Sequence, residues 1–270
     1  MSLRIVALAG ELVAEGEPRW GGRADGVPPG GLYDPETAAL LQAWWGASGL
    51  ALELRGGQVV FEAVEEVALG WAGAGAGQAR LAPGERLTLA PRRPGGTLTI
   101  VSSAPWRAEA GHCFAVGERL EGGGRQPPRD GEPEVPGPPS ALRFLPFEDR
   151  GLEGEWRLTI RADRMGLLWD GAGQMLPSLR RSVPVGVGTI QQPSAHQIII
   201  VGPDGPTVGG YPIVGAVIRA DRAALARFAP GDTTRFGPVG LDEADQAWQE
   251  AQETHIMRLR RIRTMRKALG

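Results

Sequence analysis

Asparagine is absent from the 270 residues, Cys113 is the only cysteine and Lys267 is the only lysine. Each scarcity removes a class of chemistry. A single thiol closes no intrachain disulfide and builds no cysteine-based zinc site, so neither framework is expected. A phosphate-binding P-loop needs a Gly-Lys pair and a Schiff-base enzyme needs a desolvated lysine, whereas Lys267 sits near the last residue. The other basic residues are all arginine, and together with the missing asparagine this reads as compositional bias rather than a binding signal. A formal net charge of −2 gives no indication of a surface for nucleic acid or for membrane adsorption. No run approaches the roughly 18 consecutive apolar residues of a membrane span, and the N-terminus shows no charged-then-apolar leader pattern. A cytoplasmic protein with a small molecule or another protein as partner is expected, with no nucleic acid and no membrane.

Glycine and proline are plentiful, at 41 and 23 residues, which suits many tight turns between short strands. Runs rich in β-branched residues recur at Val59–Phe61, Arg86–Leu89, Thr97–Val101, Trp156–Arg161, Gln197–Val201 and Ile213–Arg219. They predict a mainly β, mostly antiparallel protein. Helices are few. Asp34 as N-cap and Pro35 in the first turn predict one over Pro35–Trp45, with Leu40, Leu41, Trp44 and Trp45 on its buried side. A long second helix is predicted from about Leu241 into the C-terminus. There Trp248, Ala251, His255, Leu259, Ile262, Met265 and Leu269 fall three or four apart on one stripe. Its acids lie first and its arginines last, a polarity that suits the helix dipole. Between Glu121 and Ser140 a glycine, proline and charge-rich segment is too poor in apolar residues to fold alone and reads as a linker. The expected organisation is therefore 1–120, a linker 121–140, and 141–270 ending in the helix.

The densest chemical signal is Gly188-Thr189-Ile190-Gln191-Gln192-Pro193, followed after a strand by Asp204-Gly205-Pro206-Thr207-Val208-Gly209-Gly210-Tyr211-Pro212. A strand, a glycine-rich turn and another strand are implied. Gly209 and Gly210 let the backbone approach a ligand and aim N–H groups at an anionic oxygen. Thr207 and Tyr211 add hydroxyls, Gln191 an amide, and Asp204 a carboxylate able to act as base. The plain alternative is an ordinary hairpin with an Asp-Gly turn.

These residues, with Ala220-Asp221 downstream, resemble the family of KipA and the 5-oxoprolinase C subunit, in which a Gln-Val-Pro strand leads to Asp-x-Gln-Thr-Thr-Gly-Gly-Tyr-Pro. Asp163-Arg164-Met165-Gly166 is similar to the family's Ser-Asn-Arg-Met-Gly element, and Gly26, Gly31, Asp34, Ala51-Leu52-Glu53 and Ala72-Gly73-Ala74 are weaker N-terminal echoes. Pro206, Val208 and Asp163 depart from the pattern. The resemblance implies two cyclophilin-like β-barrel halves with few helices and a long C-terminal helix. It also implies a subunit of an ATP-dependent complex that opens 5-oxoproline to glutamate beside a KipI-like subunit and a LamB/YcsF-like subunit. Two further activities occur in the family. One is carboxyl transfer, with the biotin carried by another chain, and the other is non-catalytic regulation by binding. On this resemblance Asp204, Thr207 and Tyr211 are expected to be catalytic, and Arg164, Gln191, Gly209 and Gly210 to bind substrate. Arg164 suits an anion because its planar fork bonds carboxylates two at a time, although an arginine tying strands together fits equally well. Neighbouring His112 and Cys113 point to opposite faces of a strand and make a poor nucleophile pair. His196 and His255 are too isolated to suggest a metal site, and Glu53 with Asp34 forms an acid–base pair only if folding joins them.

Overall fold

The computed structural model describes residues 2–73, 75–93, 95–124, 134–147, 151–174, 176–177 and 181–268. The centre of the expected linker, 125–133, and Ala74 and Leu269 lie outside the described residues. Backbone contacts group the chain into two units, the first comprising 1–17, 34–137 and 254–270 and the second 18–33 and 138–253. Residues 18–33 and 254–270 thus cluster with the unit opposite to the half of the sequence in which they occur.

The first unit is a nine-stranded half-barrel sheet. Its strands are β1 (Ser2–Glu15), β2 (Ala51–Ala63), β3 (Val67–Gly73), β4 (Gly77–Leu81), β5 (Arg86–Leu89), β6 (Thr97–Val101), β7 (Trp106–Arg107), β8 (His112–Cys113) and β9 (Arg119–Gly122). The main path runs β4-β3-β6-β2-β1-β9-β7, with β5 on β2 and β8 on β1. Alternate residues of the long β1–β2 pair, among them Leu3, Ile5, Leu12, Leu52, Leu54, Val59 and Phe61, point into one core. The register of this pair shifts between Ala9 and Glu11, where Gly10 takes φ 94° and Gly57 lies against the Ala9 carbonyl. Helix α1 (Pro35–Trp45) starts on Asp34, whose Oδ1 accepts from the Thr37 N–H at 3.0 Å and whose Oδ2 accepts from the Thr37 hydroxyl at 2.7 Å. Its Leu40, Leu41, Trp44 and Trp45 are buried, each contributing about 1.5–3 kcal/mol. The Trp45 indole occupies the space a side chain at Gly70 would need, so β3 accepts the helix only with glycine there.

The second unit is a closed barrel of seven strands in the order β10-β17-β14-β15-β12-β11-β18. These are β10 (Ala141–Pro146), β11 (Trp156–Ala162), β12 (Gly166–Asp170), β14 (Thr189–Ser194), β15 (Gln197–Val201), β17 (Ile213–Val217) and β18 (Thr233–Pro238), while β13 (Val183–Pro184) and β16 (Val208–Gly209) form a separate two-stranded ribbon. Every described strand pairing is antiparallel except the closing one, β10 with β18. Trp156, Trp169, Phe144, Phe228 and Phe236 fill the interior with edge-to-face contacts, Trp169 and Phe228 at 5.0 Å between centroids.

The run predicted as a strand to Arg219 ends at Val217, and Arg219–Arg227 forms a 3-10 helix instead. Asp221 supplies the reason: its carboxylate accepts from both the backbone and the guanidinium of Arg143 at the start of the barrel, turning the chain out of the sheet. Helix α2 (Leu241–Ala268) follows, with Ala244 and Ala247 packed with Ile218. Trp248, Ala251, His255 and Leu259 are half-buried and Ile262 is buried, as the stripe predicts, whereas Met265 is 42% exposed.

Candidate functional site

In the second unit, the two segments singled out by sequence meet at one end of the barrel. β12 and β15 are paired from Gly166↔Val201 to Asp170↔Gln197, so the turn entering β12 and the turn leaving β15 are neighbours. Asp163 Oδ1 accepts from the N–H groups of Met165 and Gly166, at 2.8 and 3.0 Å, and shapes the first turn. The position is used only as an acceptor, so aspartate serves where the similar family element has asparagine. In the second turn, the Gly202 and Asp204 N–H groups donate to the carbonyls of Met165 and Arg164. A side chain at Gly202 would overlap the Arg164 carbonyl, and one at Gly205 would come within 2.5 Å of the Met165 carbonyl. Glycine at both places is what permits the two turns to nest.

Arg164 locks this arrangement. Its Nε donates to Asp204 Oδ2 at 2.6 Å, and its Nη2 donates to Asp204 Oδ1 at 3.1 Å and to the Gly31 carbonyl at 2.8 Å. The side chain of Arg164 is only 2% exposed, against 30% for Asp204. The fork expected to clasp a ligand is thus engaged by the chain's own carboxylate, which keeps a wetter edge. Beyond Asp204, Thr207 is buried and its carbonyl accepts from the Val185 N–H. β16 then pairs with β13, Gly209 opposite Val183. Tyr211 is 49% exposed, and Met165 and Val208 are exposed beside the same turns.

Gln191 lies beneath Gly209. It is 4% exposed, its Nε2 has no hydrogen-bond acceptor, and its amide fills the space a side chain at Gly209 would take. A buried amide donor without an acceptor is costly, on the order of 1–3 kcal/mol, and a ligand oxygen reaching this atom would relieve that cost. The adjacent Gln192 is by contrast fully used, accepting from the Leu176 N–H and donating to the Gln174 carbonyl.

Two arginines not singled out in the sequence flank the nearby turn Val185–Gly188. Arg23 donates to the Val185 carbonyl, and its guanidinium lies 2.7 Å from where a side chain at Gly186 would begin. Arg222 donates through Nε to the Val217 carbonyl at 3.2 Å and lies against Gly188. Burial, and then the neighbouring charge of Arg219, hold the Arg222 guanidinium below its usual pKa. Arginine abundance hides both positions in the sequence, since nothing in their local pattern separates them from solvated arginines.

The remaining candidates do not assemble. Asp34 and Glu53 do meet in the first unit, but Glu53 Oε1 accepts from the Asp34 backbone N–H at 3.2 Å while the Asp34 carboxylate caps α1. His112 pairs with Glu118 at 3.0 Å on an exposed strand, and this contact, together with the Ala115 N–H, holds the Glu118 carboxyl below its usual pKa. Cys113 is exposed beside it, His196 is exposed and His255 half-buried on α2.

Residues 75–238 match the model of the carboxyltransferase domain, subdomain A and B. Over 110 residues the chain is 37% identical to the 5-oxoprolinase C subunit of Haemophilus influenzae, covering 40% of this chain and 35% of that protein. Over 120 residues it is 30% identical to the Escherichia coli protein of the same name, covering 44% and 39% respectively. The matched stretches thus span little more than a third of either relative's length. Among solved structures, TTHA0988 superposes with a TM-score of 0.75 at 21% identity, covering 87% of this chain and 56% of that one. The Kluyveromyces lactis urea amidolyase superposes with a TM-score of 0.68 at 17% identity, covering 94% of this chain and 20% of that one. The matched segment covers more than half of the sequence, and the chain belongs to the carboxyltransferase domain family, subdomain A and B.

Proposed function

We propose that this chain is the C-type subunit of a cytoplasmic, ATP-dependent 5-oxoprolinase that opens the lactam of 5-oxoproline to glutamate. It acts with a KipI-like subunit and a LamB/YcsF-like subunit. The identity of 37% to a protein named as a 5-oxoprolinase C subunit is the observation that carries the reading. The geometry favours it through Gln191, whose buried Nε2 lacks an acceptor, because a lactam carbonyl is an acceptor of the right kind. In this reading Asp204, Thr207 and Tyr211 are the catalytic groups of the turn, with Tyr211 and the open edge of Asp204 the most accessible to substrate. Gly209 and Gly210 let the backbone close on the substrate, Gln191 binds its carbonyl, and Arg164 acts as a positioning residue that aims Asp204.

The second reading is carboxyl transfer from biotin carried on another chain, favoured by the family of the domain match. The test is coupled ATP hydrolysis and glutamate release from 5-oxoproline, with the purified chain mixed with the subunits encoded beside its gene and each omitted in turn. Glutamate formation that requires this chain, and that falls at least tenfold in Tyr211→Phe and in Gln191→Ala, is the expected result. A stable complex without glutamate formation would overturn it. Carboxyl transfer on addition of carboxybiotin would then assign the second activity, and its absence would assign a regulatory binding protein.

A further inference from the structure

In the first unit, the start of β1, the short strands β7 and β9 and the turn between β2 and β3 enclose a cavity of about 430 Å³. That size falls within the roughly 300–1,000 Å³ of small-molecule sites. Its floor is backbone. Gly122 and Gly123 take φ 102° and 81°, and a side chain at Gly122 would begin 2.3 Å from the Pro105 carbonyl. Ser102 fixes this floor, its hydroxyl accepting from the Gly124 N–H at 2.7 Å and donating to the Ala68 carbonyl at 2.8 Å. At the rim the Ser2 carbonyl accepts from the N–H groups of both Val64 and Glu65, which latches the β2–β3 turn to the start of β1.

Charge lines one wall. Glu121 of β9 stands directly opposite Ser2 on one side and Arg107 of β7 on the other, so the three side chains share a face of the sheet. It is the outer face, because the adjacent Leu3, Leu120 and Trp106 belong to the core. Where opposite charges meet further along that face they pair, Glu62 taking both Arg4 and Arg86. Arg107 and Glu121 do not, although directly opposite residues hold their Cβ atoms only about 4.5–5.5 Å apart. Among the described residues neither makes an ion pair or a side-chain hydrogen bond. Both are exposed and border the cavity, and Glu65 brings a second carboxylate to its edge.

We propose that this cavity binds an α-amino acid, its carboxylate on Arg107 and its ammonium on Glu121. Such a ligand carries both charges on one carbon, a spacing that suits opposite groups on adjacent strands, and it supplies each wall residue with a charge-assisted partner. The glycine floor lets the ligand approach the backbone closely. The site does not depend on the reaction assigned to the turn at Asp204. Taken with that reaction it gains a direction, because glutamate has the free ammonium that 5-oxoproline lacks, the nitrogen of the latter being acylated in the lactam. The cavity then responds to product and ignores substrate.

Calorimetric titration of the full chain with L-glutamate tests it. Saturable binding is expected, weakened at least about tenfold by Arg107→Met and by Glu121→Gln. Both positions are exposed, so thermal unfolding should show the fold intact in each variant. N-acetylglutamate, without the ammonium, and γ-aminobutyrate, without the α-carboxylate, should each bind at least about tenfold more weakly than glutamate. No saturable binding of glutamate, binding unchanged in both variants, or N-acetylglutamate held as tightly as glutamate would each overturn the proposal. Glutamate binding lost in Gln191→Ala but kept in Arg107→Met would do the same, by placing the ligand in the second unit. Glutamate release from 5-oxoproline is read separately, so a failure of either assignment is visible without the other.

Discussion

Arg164 and Asp204 share two hydrogen bonds but not one environment, and the difference predicts which partner is harder to lose. The guanidinium is 2% exposed and the carboxylate 30%. Replacing Asp204 with alanine removes two charge-assisted bonds from a cation that water cannot reach, while the bond to the Gly31 carbonyl stays. Breaking a buried pair on this side costs about 3–5 kcal/mol. Replacing Arg164 with methionine retains much of the stem packing and leaves a carboxylate that can rehydrate at its open edge, at about 1–3 kcal/mol. Asp204→Ala should therefore be the more destabilising change by about 2 kcal/mol, roughly thirtyfold in the folding equilibrium. The double variant should be more stable than Asp204→Ala alone, because it no longer buries a guanidinium deprived of its carboxylate. Urea unfolding followed by tryptophan fluorescence reads all three, since Trp156 and Trp169 are buried in the same unit. Equal losses in the two single variants, or a larger loss in Arg164→Met, would refute the assignment of Arg164 as the buried anchor.

Two other outcomes follow from the geometry. Gly209→Ala forces a methyl into the Gln191 amide and should lower stability by about 1–3 kcal/mol; combining it with Gln191→Ala should return most of that loss, and thermal unfolding that shows no such recovery would disprove the contact. Glu62 accepts from Arg86 and Arg4, which hold its carboxyl below the ordinary value of 4.5. A depressed carboxylate stabilises the fold above its unfolded pKa and loses that contribution as pH falls through its folded one. The Tm difference between the wild type and Glu62→Gln should therefore be constant near neutral pH and shrink as the pH falls below the ordinary value of 4.5. A difference that persists unchanged in acid would count against the pairing.

Much of the fold is legible because local signals agree with tertiary ones. α1 begins on Asp34 and ends at Trp45, as its cap and periodicity predict, and β5, β6 and β15 occupy the predicted runs residue for residue. The prediction fails at Arg219, where the apolar run continues through Ile218 but a long-range contact from Asp221 to Arg143 diverts the backbone. Such a contact has no local signature. Chain membership is likewise hidden, because the grouping of Pro18–Tyr33 with the second unit rests on distant partners such as the Arg164 bond to Gly31. At the candidate site, the turn from Asp204 to Tyr211 can be read from its glycines. The spacing of residues does not reveal that the arginine expected to hold a ligand already holds Asp204, since that depends on how two turns nest. Arg23 and Arg222 are invisible for a compositional reason: where nearly every cation is arginine, the residue type carries no information.

The seam between β10 and β18 sets the order of events in the life of the second unit. It joins Ala141 to Arg235, near opposite ends of that unit's continuous chain, so the barrel has no complete hydrogen-bonded circuit until its last strand exists. During synthesis β10 waits, unpaired on that side, while the intervening strands emerge. Closure of so long a loop makes folding slow, and the waiting strand offers its bare edge to any other extended chain. The stretch of time before Thr233–Pro238 leaves the ribosome is thus when this protein is most open to misassembly, and when a chaperone has most to protect.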